Sequence, residues 1–132
     1  MAGPENQEER SMPTNQPQTP EQKPHPIRTE RRDNAQIDYL VDLLSDENPG
    51  NRWKAAQALG CVQDPAAVEA LVHALYDDDW RVQQKAIWAL GSIGDPRAIP
   101  PLRRRYPEVD DGLRDLIKDA QELIRSRMYR PE

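Results

Sequence analysis

Reactive side chains are few in this sequence. The two histidines are His25, followed by Pro26, and His73, followed by Ala74, and the single cysteine is Cys61. A zinc or iron site needs several imidazole, thiolate or carboxylate ligands converging on one point. Two histidines in unrelated settings and one thiol do not supply that set, so neither a metal nor a cofactor is expected. His73 should face solvent or bond locally rather than act as a ligand, and Cys61 should act as a small packing residue near a helix end rather than as a reactive thiol. The acidic runs Asp46-Glu47 and Asp77-Asp78-Asp79 are too sparse and too far apart for a calcium ring. Their expected task is capping at the positive ends of helices. Arg103, Arg104 and Arg105 either meet an acidic partner or solvate a helix face beside Asp110 and Asp111. What remains with binding character is a set of aromatic and amide side chains, Trp53, Gln57, Gln84 and Trp88, and their grouping depends on how the chain repeats.

The repeat is direct. Residues 46–65 read DENPGNRWKAAQALGCVQDP, and residues 77–96 read DDDWRVQQKAIWALGSIGDP. Between 36–66 and 67–97, eleven of 31 positions are identical, among them Leu40/Leu71, Lys54/Lys85, Ala58/Ala89, Gly60/Gly91 and Asp64/Asp95. Each copy predicts two helices. In the first, a helix over 34–45 carries Ile37, Leu40, Val41 and Leu44 on one face, at helical spacing. Asn48 caps the next helix, with Pro49 at its first position, where the missing N–H costs nothing. That helix runs to about residue 62 with Ala55, Ala58, Leu59 and Val62 inward. Asp64-Pro65 opens the second copy, with Val68, Leu71, Val72 and Leu75 inward. Asp79 caps its second helix, which buries Val82, Ala86, Ala89, Leu90 and Ile93 and stops at Gly94. Trp80, at the start of that helix, is expected to pack over the turn.

The third copy has drifted. Asp95-Pro96 starts a helix holding Ile99 and Leu102, in which Pro100 and Pro101 should force a kink or a late start, and Pro107 ends it. Asp110 then caps a last helix to about residue 128, with Leu113, Ile117, Ala120 and Ile124 inward. Its other faces carry Asp115, Lys118, Asp119, Glu122 and Arg125, as the end of a stacked array requires. The fold class is thus all-α, a short solenoid of two full 31-residue repeats and a degenerate capping pair.

Composition separates a leader from this domain. Residues 1–33 hold six of the 13 prolines and almost no large apolar side chains. They are expected to be disordered, because they cannot bury enough surface to offset ordering. The folded domain is 34–132. The net charge of -5 divides unevenly, about -6 over 34–96 and +2 over 97–132. Acidic repeats argue against nucleic-acid binding, which rests on neutralising phosphates. A lone cysteine excludes an internal disulfide and fits a reducing compartment. The opening MAGPENQEER has no signal-peptide pattern, and no apolar run has membrane-span length, so a cytoplasmic location is expected.

The segments RWKAAQALG (52–60), AVEALVHALYDDDW (67–80) and WRVQQKAIWALGSIGDPRAIPPL (80–102) resemble HEAT-like repeats of the phycobilisome-lyase type. The 31-residue period is shorter than the general HEAT length, about 40–47 residues. The resemblance implies a right-handed stack of helix pairs, with the second helices lining a concave side. Most members of that class are interaction surfaces. Others attach or remove bilins, hydroxylate substrates at a di-iron centre, or repair alkylated DNA. The di-iron members resemble one another in His-Glu dipeptides, which this sequence lacks. The repair enzymes have a basic groove where this chain is acidic. A bilin lyase would be a longer array, and nothing marks a tetrapyrrole pocket here.

The resemblance and the register together place Trp53, Lys54, Gln57 and Cys61 on the concave side of repeat 1. Gln84, Lys85, Trp88 and Ser92 match them in repeat 2, and Asp115, Leu116, Asp119 and Leu123 match them in the last helix. Trp53 and Trp88 then lie diagonally across neighbouring helices, where this repeat class carries polar residues. They are either binding anchors or fillers that fold against the stems of Lys54 and Lys85 or cover helix junctions. The expected function is a non-enzymatic adaptor whose protein partner sits on Trp53, Gln57, Gln84 and Trp88. The alternative is an accessory subunit of a bilin or other prosthetic-group lyase; nucleic-acid binding through the basic C-terminal third is a weaker rival. The first helix has only the polar leader before it, so its open side offers a second surface for a homodimer.

Overall fold

The computed structural model describes the backbone of residues 26–129 and the side chains of 35–129. The chain divides into the units Met1–Asn34 and Ala35–Glu132, and the packing that follows lies within the second. Among the described residues there are six α-helices and no strand. They are α1 (Pro26–Leu43), α2 (Pro49–Val62), α3 (Val68–Ala74), α4 (Trp80–Ile93), α5 (Ile99–Arg105) and α6 (Asp111–Met128). Single 3₁₀ turns, Pro65–Ala67 and Pro96–Ala98, lead into α3 and α5, and a third, Tyr106–Glu108, follows α5.

The caps are those expected from local chemistry. Asn48 accepts from the Gly50 N–H at 2.7 Å, Asp64 from Ala66 at 2.9 Å, and Asp79 from Arg81 at 2.8 Å. Asp95 accepts from Arg97 at 2.9 Å and Asp110 from Leu113 at 3.0 Å. Each satisfies one of the donors that a helix start leaves free. Asp46 and Asp77, identical across the repeat, shape the turn before the cap by accepting from the N–H two residues on, Asn48 at 3.0 Å and Asp79 at 2.9 Å. Helix ends repeat as well. Gly94 turns left-handed at φ 76°, and Gln63, 31 residues earlier, does the same at φ 62° despite its Cβ.

The second helices pack side by side, α2 on α4 and α4 on α6, with α3 against α4. The approach is close because the two glycines of the repeated Ala-Leu-Gly sit at the crossings. A Cβ on Gly60 would stand 3.0 Å from the Cα of Ala89, and one on Gly91 would stand 3.0 Å from the Cα of Ala120. Glycine and alanine are each 31 residues apart in these pairs, so one crossing is built twice. The core between the helices holds Leu59, Leu71, Leu90, Leu102, Ile117 and Ile124, all essentially inaccessible.

Four local expectations change. The helix expected to start at residue 34 begins at Pro26, so residues 26–33 are helical. A proline at the first position followed by Arg and Glu favours this; the remainder of the leader, residues 1–25, lies outside the described residues. Val62, expected inward, is half exposed, while Ala56 and Gly60 are buried. Val62 is the last residue of α2, and the neighbouring α4 stops at the equivalent position, Ile93, so nothing of α4 extends beyond it as cover. Cys61 is exposed rather than packed. Pro100 and Pro101 leave α5 intact because they occupy its first turn, where no intrahelical donor is lost. The inward face expected of α6 is buried throughout.

Candidate functional site

The four candidate residues come from α2 and α4, and the packing of those helices puts them on a common surface. Trp53 is half-buried and rests against the core, and Gln57, one turn on, is exposed. Gln84 is half-buried, and Trp88 keeps 42% of its surface. The Trp88 ring lies over Gly60, where any side chain would collide with it. The repeated glycine therefore serves two ends here: it lets α4 approach and gives the indole a seat.

Lys85 joins the two rings. Its ammonium lies 5.7 Å from the centroid of Trp53 and 6.0 Å from that of Trp88. At such distances the cation is attracted to the negative ring faces, and the three side chains restrain one another. The two tryptophans, one from each helix, thus share the Lys85 ammonium. Both readings of the aromatics have a physical basis: Trp53 packs, and Trp88 is supported from below but open above.

Trp80 differs from its expectation. It is 61% exposed and borders a cleft of about 290 Å³ with Gln84, Asp110, Gly112, Leu113 and Leu116. Trp80, Gln84 and Trp88 follow one another at intervals of four residues, so one stripe of α4 carries both indoles. The sequence signal was present as the i, i+4, i+8 spacing, but a helix-start tryptophan looks the same whether it covers a turn or opens a cleft.

A second constellation joins the loops between helices, and composition did not reveal it. Arg52 donates from Nε to Asp77 at 2.8 Å and from Nη2 to Asp77 and Asp78, each at 3.1 Å. Its Nη1 donates to the carbonyls of Asp46 at 2.7 Å and Glu47 at 3.2 Å. The carboxylate of Asp77 holds the guanidinium above its ordinary pKa. In the next repeat Gln83 donates to the Asp77 carbonyl at 2.5 Å, and Arg114 in α6 donates to the Tyr106 carbonyl at 3.1 Å. Positions 52, 83 and 114 stand 31 apart. Each side chain reaches back to carbonyls in the loop preceding its own helix, and Arg52 also crosses to the next repeat.

The basic run is divided by structure. Arg105 is nearly buried, donates to the Leu75 carbonyl at 2.9 Å, pairs with Glu108 at 3.1 Å and stacks on Tyr76 at 4.6 Å. It was expected either to meet an acidic partner or to lie on a solvated face beside Asp110 and Asp111; the helix phase instead aims it back at repeat 2. Arg103 and Arg104 are exposed. Arg127 of α6 donates to the Ser92 and Ile93 carbonyls at 2.8 and 3.1 Å, meeting the negative end of α4. At the acidic turns, Arg81 holds Asp79 below the ordinary carboxylate range, Arg97 does the same for Asp95, and the Asn51 amide does so for Asp46. These carboxylates are occupied with capping and loop contacts.

Residues 37–122 match a family model described as HEAT repeats. No curated protein matches the chain. HEAT repeats generally mediate protein–protein interaction, and the proteins built from them are typically non-enzymatic. Among the described residues no helix is long and apolar enough to cross a membrane.

Proposed function

The chain belongs to the HEAT-repeat family, and from that premise we propose that it is a non-enzymatic adaptor that binds another protein on the face shared by α2 and α4. The observation that carries this reading is the Trp53–Lys85–Trp88 arrangement, with Trp88 seated on Gly60 yet 42% exposed. A large ring held rigid and left open loses little freedom on binding and contributes much apolar area, which is the profile of an interface anchor. Gln57 stands one turn after Trp53 and Gln84 one turn before Trp88, and both supply amide donors and acceptors. The 31-residue period supports assigning the repeats to the short phycobilisome-lyase type, and the lone cysteine supports a cytoplasmic setting.

The test is capture of partners from native lysate on the full chain and on its Trp88→Ala variant, each checked for intact helicity. A protein retained by the first and lost by the second supports the reading. Retention of the same protein by both would refute the patch, and recovery of a chromophore-attachment enzyme would favour the accessory-subunit alternative.

A subordinate reading is self-association through the first repeat. Leu40, Val41 and Leu43 pack on the core yet stay only partly covered, and Tyr39 beside them is 63% exposed. Sedimentation velocity over a hundredfold concentration range checks this: a concentration-independent monomer would remove it.

A further inference from the structure

The charges on the shared face indicate what chemistry a partner should bring. Arg52, Arg81, Arg97, Arg105 and Arg114 each pair with a carboxylate, mostly in a cap or inter-helix loop. Among the described residues no carboxylate pairs with Lys85 or Lys54, the two cations of that face. Lys85 is nonetheless the more restrained of the two, because both indoles hold its ammonium. Among the described residues its three N–H donors have no protein acceptor. A cation already fixed and flanked by apolar rings is prepared for an anion, since little freedom is left to lose and the rings lower the local polarity.

We infer that the partner docks a linear peptide segment in which one carboxylate, set among apolar side chains, reaches Lys85 between Trp53 and Trp88. The inference rests on reading this face as the protein-binding site. The cleft beside Trp80 and Leu116, of about 290 Å³, takes an apolar side chain of the same segment. Trp80 lies five positions before Lys85, about 7–8 Å along the helix axis and about 140° around it, so the cleft opens on the α6 side of α4 and Lys85 on the α2 side. A segment that fills both subsites therefore crosses α4 obliquely, with the apolar anchor about three or four residues from the acid in an extended chain. Gln84 lies between the two subsites and offers its amide to the peptide backbone. The occupant follows from charge complementarity. A polyanion such as RNA would meet the acidic repeats, which carry about -6 over 34–96, whereas a single carboxylate with apolar neighbours meets Lys85 and the rings.

The experiment sorts a random twelve-residue peptide library on phage against the full chain, then titrates synthetic copies of the enriched peptides by tryptophan fluorescence. The expected consensus holds one Asp or Glu with an apolar residue three or four positions away. Lys85→Met, which keeps the stem over the rings and removes the charge, should weaken such a peptide about tenfold or more. Lys85→Glu should abolish its binding and shift the selected consensus toward Lys or Arg. Melting curves of both variants confirm that they fold. A consensus without an acid, equal affinity for Lys85→Met, or no enriched peptide would each overturn the inference. If Trp88→Ala loses a peptide that Lys85→Met retains, the face still binds protein and only the acidic class fails. If neither variant loses an enriched peptide, the reading of the face fails as well.

Discussion

Replacing Arg52 by alanine removes five hydrogen bonds at once and leaves their acceptors behind. Only 13% of the Arg52 side chain and 10% of the Asp77 side chain are accessible, so water does not readily substitute. The fork onto Asp77 is bidentate and charge-assisted, a class that contributes about 1.5–3 kcal/mol. The contact to Asp78, a side chain almost fully in solvent, adds little. Fully burying an orphaned carboxylate would raise the loss to about 3–5 kcal/mol, but Asp77 keeps the Asp79 N–H and lies near the surface. The expected loss is about 2–3 kcal/mol, or roughly 10–20 °C in Tm for a domain of this size. Circular dichroism at 222 nm through a thermal and a urea transition measures it. Arg52→Lys should recover less than half, because an ammonium cannot span both Asp77 and the Asp46 carbonyl. A double-mutant cycle with Asp77→Ala should give a coupling above about 1 kcal/mol. A loss under about 0.5 kcal/mol, or strict additivity, would refute the view that this arginine ties repeat 1 to repeat 2.

Trp53→Ala should cost about 2 kcal/mol and Trp88→Ala about 1 kcal/mol in urea unfolding, since the first ring is half-buried on the core and the second largely open. Gly91→Ala should destabilise by about 1 kcal/mol despite the better helix propensity of alanine, because its Cβ meets the backbone of α6 at Ala120. Ala120→Gly in the same chain should recover part of that loss. Gln63→Gly should raise stability by about 0.5–1 kcal/mol by relieving a left-handed residue, and an unchanged urea midpoint would count against that strain. Asp46, Asp79 and Asp95 titrate below the ordinary aspartate value of 3.8 when folded. Their stabilising contribution is therefore complete above that value and is lost as pH falls through the lower folded values. Melting temperature should hold between pH 7 and 5 and drop below pH 4; a loss already complete at pH 5 would contradict the assignment.

Much of this molecule was determined by the sequence alone, wherever the relevant chemistry is local. The caps at Asn48, Asp64, Asp79, Asp95 and Asp110 join a side chain to an N–H two or three residues on, so residue type and spacing suffice. The buried faces of α4 and α6 follow from helical periodicity, and the 31-residue register carried the candidate residues to neighbouring helices. Other features were decided only by the tertiary structure. Arg52 reaches a carboxylate 25 residues away, and as a sequence letter it is indistinguishable from a solvated arginine on a polar face. Trp80 opens a cleft because α6 arrives beside it, and Lys85 meets two rings because α2 and α4 cross closely at Gly60. Val62 and Ile93 occupy the same repeat position, yet the first is half exposed and the second buried. Periodicity says which face of a helix turns inward, but how far along its length that face is covered depends on how far the neighbouring helix runs: α6 continues to Met128 and its Arg127 reaches the Ser92 and Ile93 carbonyls, whereas α4 stops at Ile93.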